Sequence, residues 1–89
     1  MKESYLEVTF RHGRPLAAYL YLPREPGEKS ARTSKAEPGM VIDFSPSGKP
    51  IGIELTAPTK VTLSALNRVL DELGQPALRA ADLEPLRAA

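Results

Sequence analysis

The spacing of apolar residues changes at Pro58, and this change constrains the fold more than any other feature of the chain. Before Pro58, apolar and polar residues alternate in several short runs, which is typical of half-buried β-strands. After Pro58, apolar residues recur at the 3.6-residue spacing of an amphipathic helix. The pattern therefore predicts an α+β domain, in which an antiparallel β-meander of four or five strands over residues 4–55 is covered by a helical segment over residues 61–88.

Two strands joined by a tight turn are predicted at the N-terminal end. Gly13 in the turn takes a positive φ without steric cost, and the preceding His12 is one of the residues that tolerate it. The returning strand, residues 16–22, has no strongly polar face, which favours a central position in the sheet. The residues predicted to point inward from the two strands are Leu6, Val8, Phe10, Leu16, Ala18, Leu20 and Leu22.

Residues 23–38 are predicted to form a mobile linker, because two prolines and a glycine among charged residues interrupt the backbone donors of a strand. Within this linker, residues 31–36 leave two alternatives open. They form either a short charged edge strand, which is a common way to protect a sheet edge, or a continuation of the loop.

A second hairpin is predicted over residues 39–55. Its turn, Ser45-Pro46-Ser47-Gly48, fits a type I turn position by position, with Pro supplying a preset φ at the second place. Alternation divides the two strands into an inward and an outward set. The inward set is Met40, Ile42, Phe44, Ile51, Ile53 and Leu55, and the outward set is Val41, Asp43, Gly52 and Glu54.

The C-terminal segment predicts a helix over about residues 63–73 and a short second helix after it. Thr62 is a suitable N-cap, and Gly74 is a suitable C-terminal stop. Pro85 restricts the second helix, because proline is accepted only in or near a first turn. The leucines expected to pack inward from the second helix are Leu78, Leu83 and Leu86.

Composition excludes several classes of function. The 89 residues correspond to one domain, and the chain contains no cysteine, which excludes disulfides, thiolate metal sites and cysteine nucleophiles. The formal net charge of +1 argues against a strongly electrostatic partner. The glycines do not form a phosphate-binding cluster, so no nucleotide cofactor is expected. No apolar run reaches the length of a signal peptide or a membrane span, and a cytoplasmic protein without membrane attachment is therefore the expectation.

Two polar features are candidates for catalytic sites. Asp43 and Glu54 lie on the same face of adjacent predicted strands, either as a paired acid site or as polar residues of a solvated face, and the solvated face is favoured. Like charges directly opposite each other destabilise a strand pair, so an offset register is expected. His12 lies in an arginine-flanked turn, and no nucleophile, base and acid are arranged around it. The sequence therefore predicts a protein that is not an enzyme and holds no metal.

Three basic residues at the hairpin turns are candidates for contact with an anion or nucleic acid, namely Arg11, Arg14 and Lys49. In a four-strand meander the first and third turns lie at the same end of the sheet, where these residues would form a basic rim. If residues 31–36 add a strand, the second hairpin is inverted and the rim disperses. Aromatic residues are not interleaved with the basic ones, which argues against nucleic acid. A nucleic-acid-associated or antitoxin-like regulator is therefore the second hypothesis.

The outward face of the predicted sheet is the stronger candidate for binding. Tyr5, Tyr19, Tyr21 and Val41 share this face, and tyrosine is favoured at interfaces for its broad apolar ring and polar tip. Two alternatives remain open. Either the C-terminal segment covers the face within one chain, or the face binds a partner, which is a second copy in a homodimer or another protein.

The stretches "LAAYLYLPR" and "PGMVIDFSPSGKPIGIEL" resemble a small bacterial family known as domain of unknown function 2283. That family shows a tyrosine-bearing strand, a variable linker and a hairpin with the pattern G-V-x-V-D-x-x-x-x-G-x-x-x-G-I-E-I-L. The residues that fall on this pattern are Gly39, Asp43, Gly48, Gly52, Ile53, Glu54 and Leu55. The resemblance implies a compact β-meander with helical cover, and no established activity accompanies it.

Overall fold

The computed structural model describes residues 3–87 and contains a five-stranded antiparallel sheet. The strands are β1 (Tyr5–Arg11), β2 (Arg14–Tyr21), β3 (Arg32–Lys35), β4 (Met40–Phe44) and β5 (Pro50–Leu55). One α-helix, α1 (Leu63–Glu72), lies between two 3-10 stretches, Pro58–Lys60 and Ala80–Arg87. The predicted α+β class is confirmed, and residues 31–36 adopt the edge-strand alternative.

The strands do not follow chain order across the sheet. Their order is β1-β2-β5-β4-β3, so that β5 lies between β2 and β4, whereas a simple meander would place β3 beside β2. Composition explains this arrangement. In β5, Ile51, Ile53 and Leu55 are fully buried, while all four residues of β3 are exposed. A short charged strand is suited to an edge, and an apolar strand to the middle of a sheet.

Both predicted turns are present. His12 and Gly13 have φ values of 52° and 76°, the positive pair that a type I′ hairpin turn requires. In the second turn, the Gly48 backbone N–H donates to the Ser45 carbonyl at 2.9 Å. Because β4 runs in the same direction as β2, the first turn precedes β2 at one end of the sheet and the second turn follows β4 at the other.

The hydrophobic core lies on one face of the sheet. Three buried residues of α1, Leu66, Val69 and Leu70, belong to the same cluster as the inward residues of the strands. Leu83 and Leu86 also join this cluster, and Leu78 packs against it half-buried, as predicted. Helix α1 begins where the sequence predicts, and the Thr62 Oγ1 accepts a hydrogen bond from the Ala65 N–H at 3.1 Å.

Two residues predicted to point into the core are instead exposed. The pairing of β1 with β2 shifts between Thr9 and Phe10, which makes Leu16 an extra residue in β2. Pro15 is buried there, whereas Leu16 is 52% exposed and Phe10 is 49% exposed. The bulge breaks the alternation of β2 at Leu16, whereas Phe10 keeps its direction and lies beyond the core, which extends toward this turn only as far as Val8 and Ala18.

Candidate functional site: the tyrosine face

The sheet face opposite the core carries Tyr5, Tyr19, Tyr21 and Val41, which we call the tyrosine face. Strand pairing brings these residues onto one surface, with Tyr5 opposite Tyr21, and Tyr19 and Val41 on either side of Glu54. The buried residues of α1 and of the C-terminal 3-10 helix belong to the core cluster on the other face. The described C-terminal segment therefore packs on the core face, and at the sheet edge Ala81 and Pro85 line a pocket beside Tyr5.

The three tyrosine rings form a continuous aromatic row. Tyr5 and Tyr21 are stacked, with ring centroids 4.5 Å apart and planes 16° apart. Tyr19 meets Tyr21 edge-on, with centroids 4.7 Å apart and planes at 68°. Both arrangements are favoured by the charge distribution of aromatic rings. The row runs from half-buried Tyr19 to Tyr5, which is 49% exposed.

Tyr19 is the anchor of this row. Its ring lies directly over Gly52, where a Cβ atom would overlap the ring. Its Oη donates a hydrogen bond to Asp43 Oδ2 at 2.5 Å. Burial, followed by the hydrogen bond to Asp43, raises the pKa of the Tyr19 phenol to about 12. Tyr19 therefore stays protonated at neutral pH and acts as a hydrogen-bond donor.

The two acidic residues of the second hairpin are not paired. Asp43 lies opposite Gly52 and Glu54 lies opposite Val41, so the carboxylates are offset by one step along the face, as expected. Asp43 accepts from Tyr19, and its second oxygen accepts from Ser30 Oγ at 3.0 Å. Within residues 3–87, no group of three His, Asp or Glu side chains is placed to hold a metal ion. The arrangement joins Asp43 to neighbouring side chains and leaves Glu54 in solvent.

The segment between β2 and β3 is tied to the tyrosine face at several points. The Arg24 guanidinium lies 5.3 Å from the centroid of the Tyr21 ring and also donates to the Ile51 carbonyl. Farther along, Glu28 forms an ion pair of 3.1 Å with Lys49. Together with the bond from Ser30, these contacts hold the start and the end of the segment against the sheet.

The basic residues do not form the rim that a four-strand meander predicts. Arg11 and Arg14 flank the first turn, whereas Lys49 lies at the opposite end of the sheet beside Glu28. The dispersal follows from the extra strand β3, as the alternative topology predicts. His12 is an exposed turn residue. Contact of Arg11 and Arg14 with anions or nucleic acid stays a prediction.

Sequence reasoning missed the contacts that Tyr19 makes with Asp43 and with Gly52. One signal was present, since a glycine inside a strand often marks the close approach of another group. Gly52 is such a residue, and the group that approaches it is the Tyr19 ring. The role of Arg24 left no comparable signal, because it depends on how the loop folds back over the sheet.

Residues 17–57 match the model of a family described as "Protein of unknown function (DUF2283)". The predicted resemblance is confirmed over this segment. The DUF2283-like segment extends from within β2 to just beyond β5, and it contains Tyr19, Asp43 and Gly52 together. No curated protein and no solved structure matches the chain significantly. Among residues 3–87, none of the helices has the length and apolar character needed to cross a bilayer.

Proposed function

We propose that the protein is a non-enzymatic interaction module whose tyrosine face binds a protein partner, a second copy of this chain included. The observation that carries this proposal is the aromatic row of Tyr5, Tyr21 and Tyr19 on the face opposite the core. Tyrosine supplies a large contact area, and a ring held by its neighbours loses little conformational entropy on binding.

The chemistry of the face supports binding rather than reaction. The raised pKa of Tyr19 keeps the phenol neutral, which makes it a poor base or nucleophile at neutral pH. Asp43 is engaged by Tyr19 and Ser30. The charged groups nearby, Glu7 and Glu54, are exposed beside the rings and resemble the polar rim that surrounds the aromatic centre of many interfaces.

The test is the solution mass of the Tyr19→Ser/Tyr21→Ser double variant, measured by light scattering over a range of concentrations. If copies associate through the tyrosine face, the wild-type chain exceeds the monomer mass and the double variant does not. Leu16→Ser is the control for loss of an apolar side chain outside the face, because Leu16 is 52% exposed. An unaltered mass in the double variant would rule out self-association through this face.

The working compartment is part of the proposal, and we place the protein in the cytoplasm. The absence of cysteine means that the fold gains nothing from an oxidising compartment. Fractionation of cells that carry a tagged copy tests this placement, and recovery of the tagged chain in an extracytoplasmic fraction would contradict it.

A further inference from the structure

One edge of the sheet offers unpaired backbone groups. The strand order places β1 at one edge and β3 at the other. In the part of the chain that the structure describes, β1 pairs with β2 and with no other strand. An open edge strand presents a row of N–H and C=O groups that can pair with another strand.

The two edges differ in how they are protected. β3 has four exposed residues, of which Arg32 and Lys35 are basic, and short charged strands resist pairing. β1 has seven residues without proline or lysine, and its inner face is apolar as far as Phe10, which is 49% exposed. Only the β1 edge therefore has the length and the apolar character that favour a partner strand.

Turn geometry identifies the backbone groups that point outward from β1. In a two-residue hairpin the closing pair, here Arg11 and Arg14, is hydrogen-bonded, and such pairs alternate along the strand. The extra residue of the bulge lies in β2, so the alternation along β1 itself is preserved. The residues whose N–H and C=O groups point away from β2 are therefore Leu6, Val8 and Phe10.

We propose that two copies of this chain pair through β1, antiparallel and about a two-fold axis at Val8. The two five-stranded sheets then form one continuous sheet. In this register Leu6 lies opposite Phe10 of the second copy, and Tyr5 lies opposite Arg11 of the second copy. All three outward-pointing residues of each β1 then find hydrogen-bonding partners.

Charge favours this register over the one with its axis at Glu7. An axis at Glu7 would place the two Glu7 side chains directly opposite each other, which destabilises a strand pair. About Val8 no like charges lie directly opposite each other, and Arg11 lies against the exposed Tyr5 ring and diagonally from Glu7 of the other copy. Phe10, which is 49% exposed in the isolated chain, gains Leu6 of the second copy as an apolar neighbour.

The assembly closes at two copies. Each chain contributes one β1 edge, and the charged β3 edge stops further growth of the sheet. Directly opposed residues of antiparallel strands point to the same side, so the tyrosine faces of both copies lie on one side of the joined sheet. Edge pairing thus engages Tyr5 and leaves Tyr19 and Tyr21 to the partner that the tyrosine face binds.

The first experiment compares Phe10→Lys with Leu16→Lys by sedimentation velocity at several concentrations. The two residues are 49% and 52% exposed, so the isolated fold should tolerate both changes equally. Phe10→Lys is expected to raise the dimer dissociation constant about tenfold, because one substitution alters two cross-strand pairs in the symmetric dimer. Leu16→Lys should leave the dimer unchanged. A wild-type chain that stays monomeric, or two variants that behave alike, would overturn the proposal.

The second experiment fixes the register with single cysteines, which the native chain does not contain. Val8→Cys places two thiols across the axis, where opposed Cα atoms about 5.5 Å apart allow a disulfide. Glu7→Cys and Thr9→Cys are the matched controls, because their own counterparts lie too far apart. Oxidation should therefore link Val8→Cys into covalent dimers well above both controls. Preferential linkage at a control position, or equal linkage at all three, would overturn the Val8 axis.

The two proposals fail separately. Phe10→Lys leaves all three tyrosines in place, and the Tyr19→Ser/Tyr21→Ser variant leaves the outward backbone of β1 in place. Loss of dimer only with Phe10→Lys supports edge pairing. Loss of dimer only with the tyrosine variant overturns edge pairing and supports self-association through the face.

Discussion

Replacing Tyr19 by phenylalanine should lower the free energy of unfolding without changing the fold. The substitution keeps the ring over Gly52 and removes only the hydroxyl that donates to Asp43 Oδ2 at 2.5 Å. That distance is typical of a hydroxyl bound to a carboxylate, and hydrogen bonds to charged groups contribute about 1.5 to 3 kcal/mol. Because both side chains are half-buried, we expect a loss near the lower limit, about 1.5 kcal/mol in the free energy of unfolding.

A loss of this size is measurable in a chain of 89 residues. It should lower Tm by roughly 6 to 12 °C. Urea unfolding followed by far-ultraviolet circular dichroism measures the free energy directly, and it does not depend on tyrosine fluorescence, which the substitution itself changes. The matched control is Tyr5→Phe, the same change on a ring that is 49% exposed, and its effect should be under about 0.5 kcal/mol.

A double-mutant cycle with Asp43→Asn assigns the loss to the pair. If the hydrogen bond is the cause, the effects of Tyr19→Phe and Asp43→Asn are not additive, and the second change costs less once the first is made. Equal stability of Tyr19→Phe and Tyr5→Phe, or full additivity in the cycle, would refute the reasoning.

Three further predictions follow from local contacts. Gly52→Ala should lower the free energy of unfolding in urea by about 1 to 2 kcal/mol, because the new Cβ displaces the Tyr19 ring. In a Tyr19→Ala background the same change should be neutral or stabilising. The pKa of Tyr19 is about 12 in the fold against 10 for a free tyrosine. The free energy of unfolding of wild type should therefore exceed that of Tyr19→Phe fully below pH 10, and this difference should disappear as the pH rises toward 12. A difference that does not change with pH would contradict this. Thr62→Ala removes the N-cap of α1 and should lower the free energy of unfolding by about 1 kcal/mol, with faster amide exchange in the first turn of that helix. The control change Ser64→Ala should have little effect on either quantity.

Local features of the fold could be predicted because a few adjacent residues encode them. The turn at Ser45-Pro46-Ser47-Gly48, the positive φ of Gly13 and the N-cap at Thr62 each depend on the conformational preferences of residues within one turn of chain. The change in apolar spacing at Pro58 separated sheet from helix for the same reason, since periodicity is a local property of the sequence.

The candidate site was predicted only in part. Alternation along single strands placed Tyr5, Tyr19 and Tyr21 on one face, but it could not show that the Tyr19 ring rests on Gly52 and reaches Asp43. These contacts cross from β2 over β5 to β4, and they exist only because β5 lies between the other two strands.

By itself, the sequence determined the class of fold, both hairpin turns, the start of α1 and the face on which the tyrosines lie. Tertiary structure decided the strand order and the exposure of Phe10 and Leu16. It also decided the separation of Lys49 from Arg11 and Arg14, and the hydrogen bond from Tyr19 to Asp43. The physical reason is the range of the interactions. Turns, caps and periodicity depend on neighbouring residues, whereas strand order depends on which apolar strand gains most from burial, a comparison made across the whole chain.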